Sequence, residues 1–323
     1  MHAAVLHGLG RTPRYETFPA PVAGADEEVV TVTAAALKPS DRWMAAGVHY
    51  APPAFPTVVG LDGVGRLDDG TRVAFFGLRP PYGGMAERTL VRRGLWLPVP
   101  DGIDDATAAA VLNPGGAAWK TIVVEGEVTA GQTVLVLGAT GASGRIAAQL
   151  AKGRGARVVA AGRDQRILDE LVARGVDAAI RVDRPHDELA AAIAGEGPYD
   201  LVADYLWGAP AEAVFAALPS TRPAAGRTRY ILVGMSAGET ASLPAIALRR
   251  APVQLAGSGI GGAASVADAA TGYAEVLRRV TAGEITFDVA PVPLADVESV
   301  WPKAGTDRRT VFIPQGLSRS PRP

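Results

Sequence analysis

The sequence predicts an α/β protein with two domains, one built on a mostly antiparallel β-sheet and the other on a doubly wound parallel sheet. At 323 residues the chain is too long for one small core. Short apolar runs separated by Gly and Pro fill the first part up to about Leu97, which is typical of a turn-rich antiparallel domain. From about Asp105, strand-like and helix-like runs alternate, and this alternation predicts a parallel sheet covered by helices on both faces.

The predicted elements follow in chain order. Strand-like runs in the first part are HAAVLH, EEVVTVTAAAL, TVVGLDGVGRL, GTRVAFFG and GGMAERTLV. The stretch DATAAAVLNPGGAAWKTIVVE then predicts a helix that breaks at 113–116, where Asn, Pro and two Gly follow one another. A helix is expected at 265–280 and a last strand in TVFIP. Between them, helix-like runs such as 165–173 separate six expected strands at 134–138, 157–161, 178–181, 201–205, 230–235 and 253–256.

Composition excludes several classes of function. The 32 basic and 33 acidic side chains nearly cancel, so a nucleic-acid partner is not expected. No apolar run is long enough to span a bilayer, and the start MHAAVLHGLG lacks the features of a signal peptide, so we expect a cytoplasmic protein without a membrane partner. The absence of Cys removes disulfides and thiolate zinc sites, and the four His show no close ligand spacing, so no metal site is predicted.

A glycine-rich turn stands between the first of the six strands and its helix. In VLVLGATGASGR the glycines do not follow the plain G-x-G-x-x-G spacing, because Ala139 holds the first position of that register. Such a turn lets the backbone approach a pyrophosphate, while the amides and dipole of the helix start favour negative charge. The turn predicts a dinucleotide site, although a tight turn without a ligand remains the alternative. The residues expected to contact the cofactor are Gly138, Thr140, Gly141, Ala142, Ser143 and Gly144.

The end of the second strand indicates which dinucleotide binds. In such sites an acid about 20 residues after the glycines accepts hydrogen bonds from the adenosine ribose 2′-hydroxyl. Gly162 holds this place here, followed by Arg163 and, one helical turn on, Arg166. We expect Gly162 to leave room and a guanidinium to bind a 2′-phosphate, which predicts NADPH. Two alternatives stay open: Arg163 as an ordinary surface residue, and Asp164 as a ribose ligand for NADH.

Several stretches in this order are similar to the medium-chain dehydrogenase/reductase superfamily over nearly the whole chain. ALKPSDRWMAAGVHYAPPAFPTVVGLDGVG resembles its substrate-domain signature, VLVLGATGASG its cofactor turn, and DLVADYLWG the end of its fourth strand. The nearest resemblance is to the zinc-independent quinone oxidoreductase and enoyl reductase branch. It implies a Rossmann domain at 115–258 and a GroES-like substrate domain formed by 1–114 and 259–323.

The resemblance also carries expectations about single residues. The places of the catalytic zinc ligands in the zinc-dependent members hold Lys38, Leu61 and Asn113, so zinc catalysis is not expected. Tyr205 is expected at the adenosine or substrate cleft, with packing at the strand end as the alternative. The glycine-rich segments VGMSAG and GSGIGG are expected to line the nicotinamide through Val233, Gly234, Met235, Ser258, Gly259 and Ile260.

The implied activity is transfer of a hydride from NADPH to a quinone or an α,β-unsaturated carbonyl substrate. A donor or cation near the substrate oxygen would lower the barrier. The candidates are Lys38, Asp41 and Tyr50, with Tyr50 preferred to His49 as the proton donor. Lys38 and Asp41 have the alternative of pairing with each other or with neighbouring charges, and Tyr50 that of packing on the loop.

Three further hypotheses follow. The protein could be a dedicated biosynthetic reductase of one elaborate substrate. It could instead be a non-catalytic sensor or structural partner that binds NADPH, because Lys38 replaces the asparagine usual in the branch. Finally, the apolar strand at 253–256 is a candidate sheet edge, which predicts a homodimer formed by its pairing with a second copy.

Overall fold

The computed structural model describes residues 1–48, 51–220, 226–259, 266–303 and 308–314. The chain divides into two compact units. Unit 1 consists of Met1–Asn113, Tyr273–Leu277 and Asp288–Pro323, and unit 2 of Pro114–Gly272 and Arg278–Phe287. No helix within the described ranges has the length and apolarity needed to cross a membrane.

The return to unit 1 lies later in the chain than residue 259. The side-chain amide of Gln149 makes two hydrogen bonds with the backbone of Thr286. Its Nε2 donates to the Thr286 carbonyl at 2.9 Å, and its Oε1 accepts from the Thr286 amide at 3.0 Å. Both residues belong to unit 2. These two hydrogen bonds hold the segment around Thr286 in unit 2, and the chain returns to unit 1 at Asp288.

Unit 1 is built mainly from antiparallel strands. Its elements are β1 (His2–Leu6), β2 (Arg14–Thr17), β3 (Glu27–Ala36), α1 (Pro39–Ala46), β4 (Thr57–Val58), β5 (Asp62–Arg66), β6 (Arg72–Phe76), β7 (Arg88–Arg92), β8 (Trp96–Pro98) and the start of α2 (Asp105–Trp119).

The chain then enters unit 2, which alternates strands and helices. After α2 come a π-helix (Lys120–Glu125), β9 (Thr133–Leu137), α3 (Ala142–Gly153), β10 (Arg157–Gly162), α4 (Gln165–Ala173), β11 (Ala178–Arg181), α5 (His186–Glu196), β12 (Leu201–Asp204), α6 (Gly208–Ala217), a 3-10 turn (Leu218–Ser220), β13 (Thr228–Leu232), α7 (Ala245–Arg250), β14 (Val253–Gly257) and α8 (Val266–Thr281). The last elements are β15 (Val289–Pro293), a 3-10 turn (Leu294–Asp296), α9 (Val297–Val300) and β16 (Arg309–Ile313).

The strands of unit 1 form two sheets, and the long strand β3 belongs to the larger one. One sheet has the order β2-β1-β4, and the other β15-β16-β3-β5-β6-β8, with β7 also paired to β3. All these pairs are antiparallel except β15 with β16. The apolar residues Val30 and Val32 alternate with threonines along β3 and are buried in one core cluster.

Unit 2 is a single sheet of six parallel strands in the order β11-β10-β9-β12-β13-β14. Counted along the chain this is the order 3-2-1-4-5-6 of the doubly wound dinucleotide-binding fold, which reverses between β9 and β12. The predicted fold class is therefore confirmed. All six expected strands are present, but β13 ends at Leu232 because the amides of Val233 and Gly234 turn to the carbonyl of Asp204, at 2.7 and 3.1 Å.

The expected break at 113–116 is wrong. The helix α2 runs through Pro114 to Trp119 and continues as a π-helix to Glu125. Pro114 lacks an amide hydrogen, yet buried apolar residues such as Val111 and Ala118 flank it on both sides. Packing of these residues outweighs the local preference of Pro and Gly for a turn.

Candidate functional site

The glycine turn after β9 has the shape of an anion-binding cradle. Gly138 has a φ of +92°, which favours glycine. A Cβ on Gly144 would lie 2.2 Å from the carbonyl oxygen of Gly138, so only glycine allows the start of α3 to pack on the turn. Gly141, the N-cap of α3, supplies no side-chain hydrogen bond to the amides of the first helical turn. Those amides suit an anionic group such as a pyrophosphate.

The space beside Gly162 is filled by Thr140. A Cβ on Gly162 would lie 2.4 Å from Thr140 Cγ2 and 2.8 Å from Thr140 Oγ1. The side chain of Thr140 thus occupies the space that a side chain at residue 162 would need, and the expectation that Gly162 leaves room for the cofactor stays a prediction. The same contact means that a carboxylate at residue 162 would collide with Thr140.

The two arginines after β10 have different surroundings. Arg163 is exposed, and within the described part of the chain its guanidinium makes no hydrogen bond or ion pair. Arg166 forms an i,i+4 ion pair with Glu170 on the surface of α4, and Glu170 also accepts from the buried Arg145 at 2.6 Å. Of the two arginines predicted to bind a 2′-phosphate, Arg163 is therefore the one whose guanidinium has no partner among the described residues.

Tyr205 begins the loop after β12 and lies against two glycine turns. Its amide donates to the carbonyl of Leu137 at 2.9 Å. A Cβ on Gly138 would lie 3.2 Å from Tyr205 Cβ, and one on Gly234 would lie 2.8 Å from the Tyr205 carbonyl oxygen. The phenol is buried beside Thr121, and this burial raises the pKa of Tyr205. The backbone therefore lies at the carboxyl edge of the sheet, while the hydroxyl reaches into the interior.

A buried carboxylate, Asp204, holds this loop. It accepts from the amides of Leu206 at 2.7 Å and Trp207 at 3.0 Å, and from the Tyr230 hydroxyl at 2.6 Å. Burial raises the pKa of Asp204, although these hydrogen bonds oppose the shift. Trp207 has a φ of +56°, which is strained for a non-glycine residue, and its indole packs edge-on against Phe215 and Tyr230. Sequence reasoning missed Asp204, although an acid that ends an apolar strand was a usable signal.

The ends of β13 and β14 bring the other predicted cofactor residues to the same edge of the sheet. Val233, Gly234 and Met235 follow β13, next to the loop that starts at Tyr205. Ser258 is buried, and its amide donates to the carbonyl of Leu232 at 2.7 Å. The carbonyl of Gly259 accepts from Lys120 Nζ at 3.3 Å. Ile260 lies outside the described residues.

In unit 1, two of the three predicted catalytic residues meet in a buried ionic cluster. Lys38 Nζ lies 2.6 Å from Asp62 Oδ1, 3.0 Å from the Ala36 carbonyl oxygen and 3.2 Å from Asp41 Oδ2. Asp41 also accepts from the amides of Lys38 at 2.7 Å and Leu61 at 3.0 Å, which fixes the start of α1. Tyr50 and its alternative His49 lie outside the described residues.

The cluster is electrically balanced by an arginine from the far end of the chain. Arg309 Nη1 donates to the Leu37 carbonyl at 2.9 Å, and its charge acts on both Lys38 and Asp62. Burial alone would lower the pKa of Lys38, but Asp41 and Asp62 more than offset this and raise it. Burial raises the pKa of Asp62, against the opposing charge of Lys38. Sequence reasoning did not assign Arg309, which no local motif marks.

The three places that the resemblance equates with zinc ligands hold side chains with no thiol or imidazole. Lys38 is committed to the ionic cluster, Leu61 packs against an apolar cluster, and Asn113 is exposed. In the described ranges no group of three or more His, Cys, Asp or Glu side chains could hold a metal ion.

The fold and the glycine cradle define a two-unit protein whose second unit is a dinucleotide-binding domain. No family model matches the sequence. The chain is 28% identical over 365 residues to the probable NADPH-dependent quinone reductase tdiC of Emericella nidulans, covering 97% of this chain and 100% of the relative. It is 28% identical to the quinone oxidoreductase of Rattus norvegicus over 149 residues, which are 43% of this chain and only 45% of the relative.

A solved structure extends this likeness to the fold of the whole chain. The quinone oxidoreductase from Thermus thermophilus, solved alone and with NADPH, is 26% identical and superposes with a TM-score of 0.78, covering 97% of this chain and 100% of that one. Over nearly its whole length the chain is therefore similar to quinone reductases and quinone oxidoreductases.

Proposed function

We propose that the protein is an NADPH-dependent oxidoreductase that reduces a quinone or an α,β-unsaturated carbonyl compound. The observation that carries this proposal is the glycine cradle at the point where the strand order of unit 2 reverses, followed by the unpaired Arg163 at the end of the next strand. The similarity to an NADPH-dependent quinone reductase and to a quinone oxidoreductase solved with NADPH supports the same cofactor and the quinone substrate class.

In unit 2, mainly backbone groups would bind the cofactor. The uncapped start of α3 would hold the pyrophosphate, and Arg163 would pair with the 2′-phosphate. The segments Val233–Met235 and Ser258–Gly259 would supply backbone groups to the nicotinamide. When bound, NADPH supplies the hydride. Tyr205 fixes the edge of the site by its backbone contacts with the turns at Gly138 and Gly234.

In unit 1 we assign Lys38 and Asp41 to positioning. Lys38 is 2% exposed, its ammonium donates to Ala36 and Asp62, and it is paired with Asp41, so its charge is already committed within the protein. Asp41 holds α1 and the backbone of Leu61 in place. Tyr50, which follows α1 in the chain, is the proposed proton donor, because a phenol remains protonated at neutral pH and can donate to an enolate or quinone oxygen.

The experiment is a turnover assay that follows the loss of NADPH absorbance with a simple quinone or a simple enone as acceptor. Consumption of NADPH with a weak response to NADH is the expected result, and the faster acceptor identifies the substrate class. Tight binding of NADPH without turnover of either would instead favour the sensor or the dedicated biosynthetic reductase. Absence of NADPH binding would refute the proposal.

We also propose that the protein forms a homodimer through β14. This strand lies at the edge of the sheet of unit 2, with β13 as its neighbour. Gln254, Leu255, Ala256 and Gly257 are exposed, and Leu255 is 41% exposed. An apolar edge strand of this kind can pair with its symmetry mate.

A further inference from the structure

The edge of unit 2 beside the proposed 2′-phosphate site carries an arginine that the glycine motif does not reveal. In the parallel pair β10 and β11, Gly162 and Arg181 are directly opposite in register. The amide of Val182 donates to the carbonyl of Gly162 at 3.0 Å. This is the last hydrogen bond between the two strands before Arg163. The carboxyl ends of β10 and β11 therefore each present one arginine, Arg163 and Arg181.

Two carboxylates share this edge. Asp164 accepts from the amide of Ile167 at 3.2 Å and so caps α4. Asp183 accepts from Arg181 Nε at 2.7 Å and makes a second, shorter contact with Arg181 Nη2. These hydrogen bonds to Asp183 raise the pKa of Arg181, and the charge of Asp164 adds to the shift. Arg181 thus experiences the negative charge of both acids.

The charges at this edge decide which ribose it accepts. A 2′-phosphate carries close to two negative charges, whereas a 2′-hydroxyl is a hydrogen-bond donor that suits a carboxylate. Three arginines at this edge, Arg163, Arg181 and Arg184, face the two acids Asp164 and Asp183, which is an excess of one positive charge. Without Arg181 the cations and the acids would be equal in number, and the phosphate would meet no excess of positive charge.

We propose that Arg181 determines the preference for NADPH over NADH, by offsetting negative charge of Asp183 and Asp164 and by donating to the 2′-phosphate. This inference rests on the proposed function and adds the residue on which its cofactor preference depends. Asp183 engages Nε and Nη2 of the guanidinium, so the two N–H groups of Nη1 face no partner from that acid. Asp183 thereby orients the guanidinium while leaving donors for a phosphate.

The test is calorimetric binding of two fragments to the full chain at one ionic strength: adenosine 2′,5′-bisphosphate and adenosine 5′-monophosphate. In Arg181→Ala we expect the affinity for the bisphosphate to fall about tenfold or more, since charge-assisted hydrogen bonds are lost. The affinity for the monophosphate should stay within about twofold. Arg174→Ala is the matched control, because Arg174 is an exposed arginine at the opposite end of α4.

A third variant separates charge compensation from a merely structural effect. Asp164→Asn in the Arg181→Ala background keeps a capping side chain for α4 and removes one repelling charge, so part of the bisphosphate affinity should return. If the wild-type chain does not prefer the bisphosphate, the proposed NADPH dependence itself fails. If it does, but Arg181→Ala keeps that preference or Asp164→Asn restores none of it, the role of Arg181 is overturned.

Discussion

The ammonium of Lys38 and the carboxylate of Asp62 lie 2.6 Å apart in the interior of unit 1, where their side chains are 2% and 6% exposed. Removal of one partner from a buried pair costs about 3–5 kcal/mol, because the remaining charge is left uncompensated. We therefore expect Lys38→Met to lower the free energy of unfolding by this amount in urea. Lys152→Met, which breaks a partly exposed pair with Asp177, should cost at most about 1 kcal/mol. Equal losses would show that the Lys38 cluster is not an important source of stability.

The stability deficit of Lys38→Met should depend on pH. The pKa of Asp62 is raised in the folded protein, and loss of Lys38 removes a charge that opposes this shift. A group with a raised folded pKa stabilises the fold most when it is protonated, and that contribution is lost as pH rises. The difference in unfolding free energy between wild type and Lys38→Met should therefore be smaller near pH 5 than near pH 8. A difference that is constant or grows on acidification would contradict this assignment.

Gly144 should tolerate no side chain. In Gly144→Ala the new methyl group would lie 2.2 Å from the carbonyl oxygen of Gly138, so the turn or the helix start must move. We expect NADPH binding, measured by fluorescence titration, to weaken by more than about tenfold. Gly116→Ala is the control, because a Cβ there meets nothing within 4 Å. Unchanged affinity in Gly144→Ala would argue against a cofactor on this turn.

Arg163 and Arg166 should contribute unequally to cofactor selection. Arg163→Ala should lower kcat/KM for NADPH about tenfold to a hundredfold and leave that for NADH nearly unchanged, because the lost donor serves only the phosphate. Arg166→Ala should have a much smaller effect, since Arg166 pairs with Glu170. Steady-state kinetics with both cofactors measures this ratio. The reverse ranking of the two variants would reassign the phosphate contact to Arg166.

The Tyr230 hydroxyl should matter more for stability than that of Tyr199. Tyr230→Phe leaves a carboxylate oxygen of the buried Asp204 without its donor, which costs about 1–3 kcal/mol. Tyr199→Phe removes a bond to the neutral carbonyl of Ile193, with an expected cost of about 1 kcal/mol. Urea denaturation of both variants provides the comparison, and a larger loss in Tyr199→Phe would refute it.

The proposed dimer depends on the exposed apolar face of β14. Leu255→Asp places a charge on this strand and should shift the protein from dimer to monomer in light scattering. Val172→Asp makes the same change on α4, where Val172 is 44% exposed, and should leave the dimer intact. A wild-type protein that is monomeric at micromolar concentration would discard the proposal.

The fold was predictable because its signals are local. Each strand of unit 2 is an apolar run ended by a turn, and the regular alternation with helices fixes a parallel sheet. The glycine cradle was predictable for the same reason, since Gly138, Gly141 and Gly144 are close in the chain. The break at 113–116 failed because burial around Pro114 overrides a local preference.

The rest of the site depends on contacts between distant parts of the chain. Lys38 and Asp62 are 24 residues apart, and Leu37 and Arg309 are separated by 272. No spacing rule connects them before the strands are paired. The position of Arg181 likewise follows from the register of β10 with β11 rather than from a motif. The proposed roles of Tyr50 and Ile260 stay predictions.

The contact between Thr140 and Gly162 constrains how the cofactor preference of this chain can evolve or be engineered. A carboxylate that binds the ribose of NADH would have to enter the space in which Thr140 Cγ2 lies 2.4 Å from a Cβ at residue 162. A single Gly162→Asp change therefore produces a clash before it produces a new ligand. By this geometry an acid at residue 162 is accommodated only if the Thr140 side chain shifts or is replaced by a smaller one, so this route to NADH binding couples residues 140 and 162.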